Sequence, residues 1–309
     1  MAYPLACARS VPHHVAYCLW KYGSREQKEK LLPSIFKAEV IVSECISEPE
    51  VGSDADRIST RTVRDGDSYI MSGEKRFTAS VGVADVFLVF AITSPDVHPT
   101  RRMSVFIVDK DRGNIHSAEE FSTIDWKGLR IVSELVFNGV RVPRENLVGQ
   151  EDQGFDILMD MLDQERVVVA GGVIGPARIC LEIARRYSEE RMAFHRQIRA
   201  FEGVSFKIAD MALMIEAASL LRIKAARMID RYLPAVKEAA MAKLLAAETA
   251  FKVTTEAMQI LGGIGYTDKY PVERHFRDAR GFTIGVGIKE IMRLVIQREV
   301  YKEAGLSGQ

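Results

Sequence analysis

The sequence has no net charge, few cysteines and no long apolar run, and each shortage removes a class of function. Its 42 lysines and arginines are balanced by 42 aspartates and glutamates, so no overall field draws the chain onto nucleic acid or an anionic membrane surface. The four cysteines, Cys7, Cys18, Cys45 and Cys180, are scattered, with no Cys-x-x-Cys pair and no histidine at finger spacing. That distribution argues against a disulfide scaffold or a metal centre and for buried thiols in a reducing compartment. No run of roughly 18 apolar residues occurs, so no membrane span is expected. Met1-Ala-Tyr-Pro lacks the basic-then-apolar order of a secretory signal. The expected location is the cytoplasm, or the mitochondrial matrix if the source is eukaryotic. No internal repeat or low-complexity linker is visible.

What is present is 309 residues, 47% of them hydrophobic, enough to bury a sizeable core in more than one domain. Residues 1–38 read as helical, with Ser24-Arg-Glu-Gln27 at capping-box spacing and Leu31, Leu32 and Ile35 on one side of the following run. From Val40 the pattern turns to β-branched, alternating stretches at Ile41 to Ile46, Tyr69 to Met71, Val86 to Thr93, Ser104 to Val108 and Glu134 to Val142. After Pro143 long periodic segments near 155–187, 203–232, 236–261 and 288–303 predict helices packed as an antiparallel bundle. The fold expected is α+β and multidomain: a helical segment over 1–38, an antiparallel β barrel or sandwich over 39–150, and a four-helix bundle over 151–309.

Five stretches carry a resemblance, in one order. They are Ser47-Glu-Pro-Glu-Val-Gly-Ser53-Asp54; Ser72-Gly-Glu-Lys75-Arg-Phe77-Thr-Ala-Ser80; Lys127-Gly-Leu-Arg130 with Val140-Arg-Val-Pro-Arg-Glu-Asn-Leu-Val-Gly149; Arg191-Met-Ala-Phe194-His-Arg-Gln-Ile198; and Ala257-Met-Gln-Ile-Leu-Gly-Gly-Ile-Gly-Tyr266 running on to Arg277-Asp-Ala-Arg280. Together they resemble the acyl-CoA dehydrogenase family. The resemblance implies removal of a proton from the carbon beside a thioester and of a hydride from the next carbon. No side chain accepts a hydride, and FAD is the family's acceptor. The family normally carries a longer N-terminal helical domain, so the chain reads as truncated there.

The resemblance assigns flavin contacts to Ile46, Ser47, Phe77, Thr78 and Ala79, although Ala79 lacks the hydroxyl often found there and Thr78 or Ser80 is the substitute. Arg191, Phe194, Gln259, Gly262 and Gly263 match positions that reach the flavin of a neighbouring subunit, and Glu290 one near its adenine. Ser53, Leu162, Asp163 and Arg166 match the acyl-CoA side. Taken alone, the glycine turn is a helix stop, Phe77 is strand core, and Arg191 complements a helix dipole. Their shared order favours the site. His195 stands where the family usually has glycine, and no histidine is assigned chemistry.

The family's commonest base is a glutamate shortly after Arg-Asp-Ala-Arg, and that place here holds Val286, in Gly285-Val286-Gly287-Ile288. Members resembling isovaleryl- and long-chain acyl-CoA dehydrogenases carry the base on the first long helix of the C-terminal domain instead. Leu162-Asp-Gln-Glu165-Arg166 matches that arrangement, and helical spacing surrounds Glu165 with Met161, Leu162, Val168 and Val169, none of them able to pair with it. Apolar surroundings favour the protonated form of a carboxylate, tuning such a group toward proton abstraction near neutrality. Arg166 is within reach of Asp163. The expected activity is α,β-dehydrogenation of an acyl-CoA, with electrons passed to an electron-transfer flavoprotein, in a homo-oligomer built as a dimer of dimers. The competing readings are a flavin monooxygenase or nitroalkane-oxidase-like enzyme on the same fold, and an inactive truncated homologue with a structural role.

Overall fold

The computed structural model describes residues 3–124 and 132–306, with the side chains of the first helix described from residue 11. The Lys127-Gly-Leu-Arg130 stretch lies outside the described residues. The chain forms two compact units, one of Cys7–Leu162 and one of Met1–Ala6 with Asp163–Gln309.

The first unit opens with two helices, α1 (Tyr3–Tyr22) and α2 (Arg25–Phe36). The expected capping box is formed: the Ser24 hydroxyl accepts from the Gln27 amide at 3.2 Å, and the Gln27 side chain accepts from the Ser24 amide at 2.9 Å. Gln27 also donates to the carbonyls of Glu145 and Leu147, so one side chain closes a helix and ties it to a distant loop.

Eight strands follow: β1 (Val42–Cys45), β2 (Arg61–Asp65), β3 (Ser68–Ala79), β4 (Val86–Ile92), β5 (Met103–Asp109), β6 (Ile115–Phe121), β7 (Val132–Pro143) and β8 (Leu147–Val148). They make one sheet in the order β6-β7-β3-β2-β4-β5-β8, with β1 beside β4. Every residue of β4 is buried. Val86, Leu88, Phe90 and Ile92 join a core with Val15, Leu19, Leu31 and Ile35 of the helices, while Phe87, Val89 and Ala91 join a second core with Tyr69, Met71, Leu135 and Phe137. The sheet thus doubles back on itself under a helical layer. It does so where β2 leaves β3 and meets β4 at the single pair Arg61–Ile92.

Two expectations are corrected here. The sheet is not closed into a barrel, and it is mixed: β1 and β2 both run parallel to β4. Alternation records which face is buried and carries no information about the direction of a neighbour.

The second unit is helical: α3 (Gly154–Glu190), whose first turns belong to the first unit, α4 (Glu202–Asp230), α5 (Val236–Leu261), α6 (Val272–Phe282) and α7 (Lys289–Glu303). The four long helices stand where their periodicity placed them, and the short α6 is additional. α5 is the central element. Its buried Ala239, Ala240, Ala242, Ala246, Ala247 and Ala250 allow close packing, and it is pinned by Lys224–Glu238 to α4 at 3.0 Å and by Glu248–Arg293 to α7 at 2.6 Å. α3 is long and apolar enough, by length and composition alone, to cross a membrane, but Ile157, Leu158 and Met161 are part of the first core, as in the core helix of a folded domain.

Candidate active site

In the first unit the Ser-Glu-Pro loop leaves β1 and is clamped from β3. Glu48 and Val51 exchange both backbone hydrogen bonds, at 2.8 and 3.1 Å, folding the loop into a tight turn. Lys75, fully buried, donates to the Glu48 carboxylate at 2.8 Å and to the Ile46 carbonyl at 3.1 Å, and the Arg76 amide donates to the Ser47 carbonyl at 2.8 Å. The same carboxylate accepts from the Ser59 amide and hydroxyl and from the Thr60 amide. Against the upward push of burial, Lys75 and these hydrogen bonds hold the Glu48 carboxyl at about 2. Two non-adjacent segments are thereby fixed around one buried ion pair.

The strand end beside that pair is bulged. The β3–β7 register shifts between Lys75 and Thr78, and Phe77 adopts φ +57°, which turns its aromatic ring out to solvent beside Phe121 at 5.3 Å. Bulges of this kind re-aim a side chain. Next in the chain the Thr78 hydroxyl is buried beside the Cys45 thiol and has no other hydrogen-bond partner among the described residues. The Ala79 carbonyl accepts from the Ser43 hydroxyl. Ser53 is exposed in the loop.

In the second unit, Glu165 and Arg166 are both 5% exposed, and Arg166 donates to Asp163 at 2.6 Å, as the spacing predicted. Lys243 on α5, also buried, donates to the Gly287 carbonyl at 2.5 Å. Burial and the Arg166 charge, opposed by Glu165, bring the Lys243 ammonium down to about 8. Val286 itself takes φ +55°, an unusual conformation for a β-branched residue.

Farther along α3 a cavity of about 410 Å³ is lined by Tyr187, Arg191, Ile198 and the Ile260–Ile264 turn. Gly262, at φ +65°, ends α5 with its amide turned back onto the Met258 and Gln259 carbonyls, and a Cβ on either Gly262 or Gly263 would meet no atom within 4 Å, so the turn is open on that side. Arg191 leads into a two-residue hairpin, β9 (Met192–Ala193) with β10 (Arg196–Gln197). Its turn residues Phe194 and His195 both have positive φ, the geometry in which glycine is favoured.

The sequence of residues 43–140 matches the acyl-CoA dehydrogenase middle-domain model, and residues 152–301 match the acyl-CoA dehydrogenase C-terminal-domain model. The chain belongs to the acyl-CoA dehydrogenase family. It is 38% identical over 283 residues to the mitochondrial isobutyryl-CoA dehydrogenase of Dictyostelium discoideum, covering 91% of this chain and 68% of that relative. Its fold matches the butyryl-CoA dehydrogenase of Megasphaera elsdenii with TM-score 0.90 at 35% identity, over 96% of this chain and 76% of that one. It also matches the FAD complex of PigA with TM-score 0.91 at 27% identity, over 97% and 77%.

As a family member the chain brings several of its sequence-assigned residues together. Ile46, Ser47, Phe77, Thr78 and Ala79 gather at the Lys75–Glu48 clamp, Asp163, Glu165 and Arg166 at one step of α3, and Arg191 with Gly262 and Gly263 at the cavity. Phe194, Gln259 and Glu290 are exposed and do not line that cavity. Considered unit by unit, the outward Phe77 ring and the buried Thr78 hydroxyl in the first, and the Arg191 guanidinium beside an open glycine turn in the second, are groups of a kind compatible with a flavin cofactor. Two residues escaped the sequence reading, Lys243 and the buried role of Lys75. A lysine amid the alanines of an otherwise buried helix was the available signal for Lys243.

Proposed function

We propose that this chain catalyses FAD-dependent α,β-dehydrogenation of an acyl-CoA thioester to the trans-2-enoyl-CoA, with Glu165 as the base. The observation that carries the reading is the burial of Glu165 at the α3 position where one branch of the family has its carboxylate, combined with a valine at the other branch's position. FAD, when bound, accepts the hydride. The chain's own residues bind and orient. Phe77 offers a ring face to the flavin, Ile46, Ser47, Thr78 and Ala79 offer backbone and hydroxyl groups, and Arg191 with the Gly262–Gly263 turn offers charge and close backbone approach to the diphosphate of a neighbouring subunit's flavin. Ser53, Leu162, Asp163 and Arg166 face the thioester, and Glu165 takes the proton from its α carbon.

The acceptor for the electrons in this reading is an electron-transfer flavoprotein. The assembly is a homo-oligomer, a dimer of dimers in which Arg191 serves a neighbouring subunit. Exposed Phe206, Leu213 and Leu220 on α4 support burial of that helix against a second copy. Isobutyryl-CoA and butyryl-CoA, named for the relatives, are the first thioesters to test. Glu165→Gln should keep bound flavin yet lose anaerobic flavin reduction by at least about a hundredfold. Reduction at the unaltered rate removes Glu165 from the mechanism.

A further inference from the structure

Lys243 has no role in the resemblance, and it is costly to keep. Its side chain is 0% exposed, and one helical turn to either side on α5 stand only Ala239, Ala240, Ala246 and Ala247, which offer it nothing polar. Burying an ammonium in such surroundings is unfavourable unless donors are matched and a countercharge is near. Other elements supply one acceptor and one opposite charge. The Gly287 carbonyl accepts from Nζ at 2.5 Å, next to Val286 at the family's other base position. The charges of Arg166, which opposes the ammonium, and of Glu165, which favours it, also act on it. Arg166 is matched by Asp163 at 2.6 Å, and of the two charges that act on Lys243 the Glu165 carboxylate is the one that favours the ammonium.

The turn it grips is otherwise held near its ends, where the Ile284 and Gly285 amides donate to the Gly281 carbonyl and the Lys289 amide donates to that of Thr283. Val286 and Gly287 both have positive φ, and a Cβ on Gly287 would lie 2.7 Å from the Met292 terminal carbon, so the backbone there is tightly fitted to α7. The base of the loop is closed by Arg280 and Thr283, and Lys243 holds its far end.

We propose that Lys243 is a positioning residue of this reaction: it ties the Val286–Gly287 turn to α5 and supplies the countercharge against which the Glu165 carboxylate is held. The charge half of this inference rests on Glu165 being the base. The tether half does not.

Three variants of the FAD-bound protein separate the halves: Lys243→Met removes donor and charge, Lys243→Gln keeps a donor without charge, and Lys243→Arg keeps both. Two quantities are read: the limiting rate of anaerobic flavin reduction by butyryl-CoA or isobutyryl-CoA, whichever is faster on the unaltered protein, with its half-saturating concentration, and amide hydrogen exchange across residues 283–289. Lys243→Gln should lower the limiting rate by about tenfold or more at unchanged half-saturation, the scale expected for a misplaced catalytic group. Its turn should stay protected. Lys243→Met should lose rate and protection together, and Lys243→Arg should recover both to within about threefold. A Lys243→Gln variant at the unaltered rate overturns the charge role, and a Lys243→Met variant with undisturbed exchange overturns the tether. Should Lys243→Met not fold, equal rates for the Gln and Arg variants overturn the proposal and a tenfold gap favouring Arg supports it. If Glu165→Gln still reduces flavin, the base assignment fails, while the exchange measurement continues to judge the tether.

Discussion

The Lys75 ammonium lies 2.8 Å from the Glu48 carboxylate with both side chains closed to solvent, and this one pair joins the loop after β1 to the bulged end of β3. Because the carboxylate also accepts from Ser59 and Thr60, removing the lysine strands a charge inside a preformed cage of donors. Lys75→Met should cost about 3–5 kcal/mol of unfolding free energy, measured by urea denaturation of the flavin-free protein. A loss below about 1 kcal/mol would show that water reaches the carboxylate, and the clamp would then not explain the placement of Ile46 and Phe77.

Two glutamates only four residues apart should give stability opposite slopes with pH. Glu48 is held at about 2 from its ordinary 4.5. Its contribution is therefore fully present above pH 4.5 and is lost as the pH falls through 2. Glu44, on β1, has one carboxylate oxygen buried without a hydrogen-bond partner, and burial pushes it from 4.5 up to about 7. The folded state holds that proton more tightly, so the stability Glu44 contributes below pH 4.5 disappears as the pH rises through 7. Glu44→Gln should stabilise the protein at pH 8 and leave it unchanged at pH 4.5. A uniform shift at both values would point to packing rather than ionisation.

Arg191 is exposed yet borders the cavity closed by Gly262 and Gly263. An exposed guanidinium adds little to folding but binds a diphosphate well. Arg191→Ala should raise the dissociation constant for FAD by about ten- to a hundredfold, as the loss of one charge-assisted contact implies, while the melting midpoint of the flavin-free protein stays put. Fluorescence titration with FAD and a thermal scan of the same sample decide it; a fall in both would make Arg191 structural.

The sequence was most legible where local chemistry decides the outcome. Ser24 and Gln27 cap α2 as written, Arg166 finds Asp163 three residues away, and the four long helices follow their apolar period. β6 was missed because Ile115-His-Ser-Ala-Glu-Glu-Phe121 is exposed at every position between its ends, so its pairing with β7 leaves no hydrophobic alternation. β2 has a single buried residue, Thr62, and is hidden for the same reason. Sheet closure and direction depend on partners distant in sequence, such as Val42 with Val86, and no local pattern encodes them. In the site, the Ser-Glu-Pro loop and the glycine turn could be named from motifs. That Lys75 and Lys243 are buried ammonium ions could not, since a lysine read in sequence is ordinarily a surface residue.

Two of the non-glycine turns in the helical unit offer a graded test of backbone strain. His195 at φ +64° and Val286 at φ +55° both occupy the left-handed region, but histidine enters it more readily than a β-branched side chain, whose two γ carbons crowd the backbone. Glycine removes that cost while adding freedom to the unfolded chain, which returns part of the gain. Val286→Gly should therefore stabilise the protein by about 1 kcal/mol, moving its melting midpoint by roughly 2–4 °C, and His195→Gly by less. Val286 is half-buried, so its side chain gives back some contact energy on removal, and the sign of the measured shift weighs that loss against the strain. A destabilised Val286→Gly would mean packing holds the turn in place. Flavin reduction should be unaffected in either case, because the proton is assigned to Glu165 and the turn is held by Lys243 through the backbone of Gly287, which the substitution leaves intact.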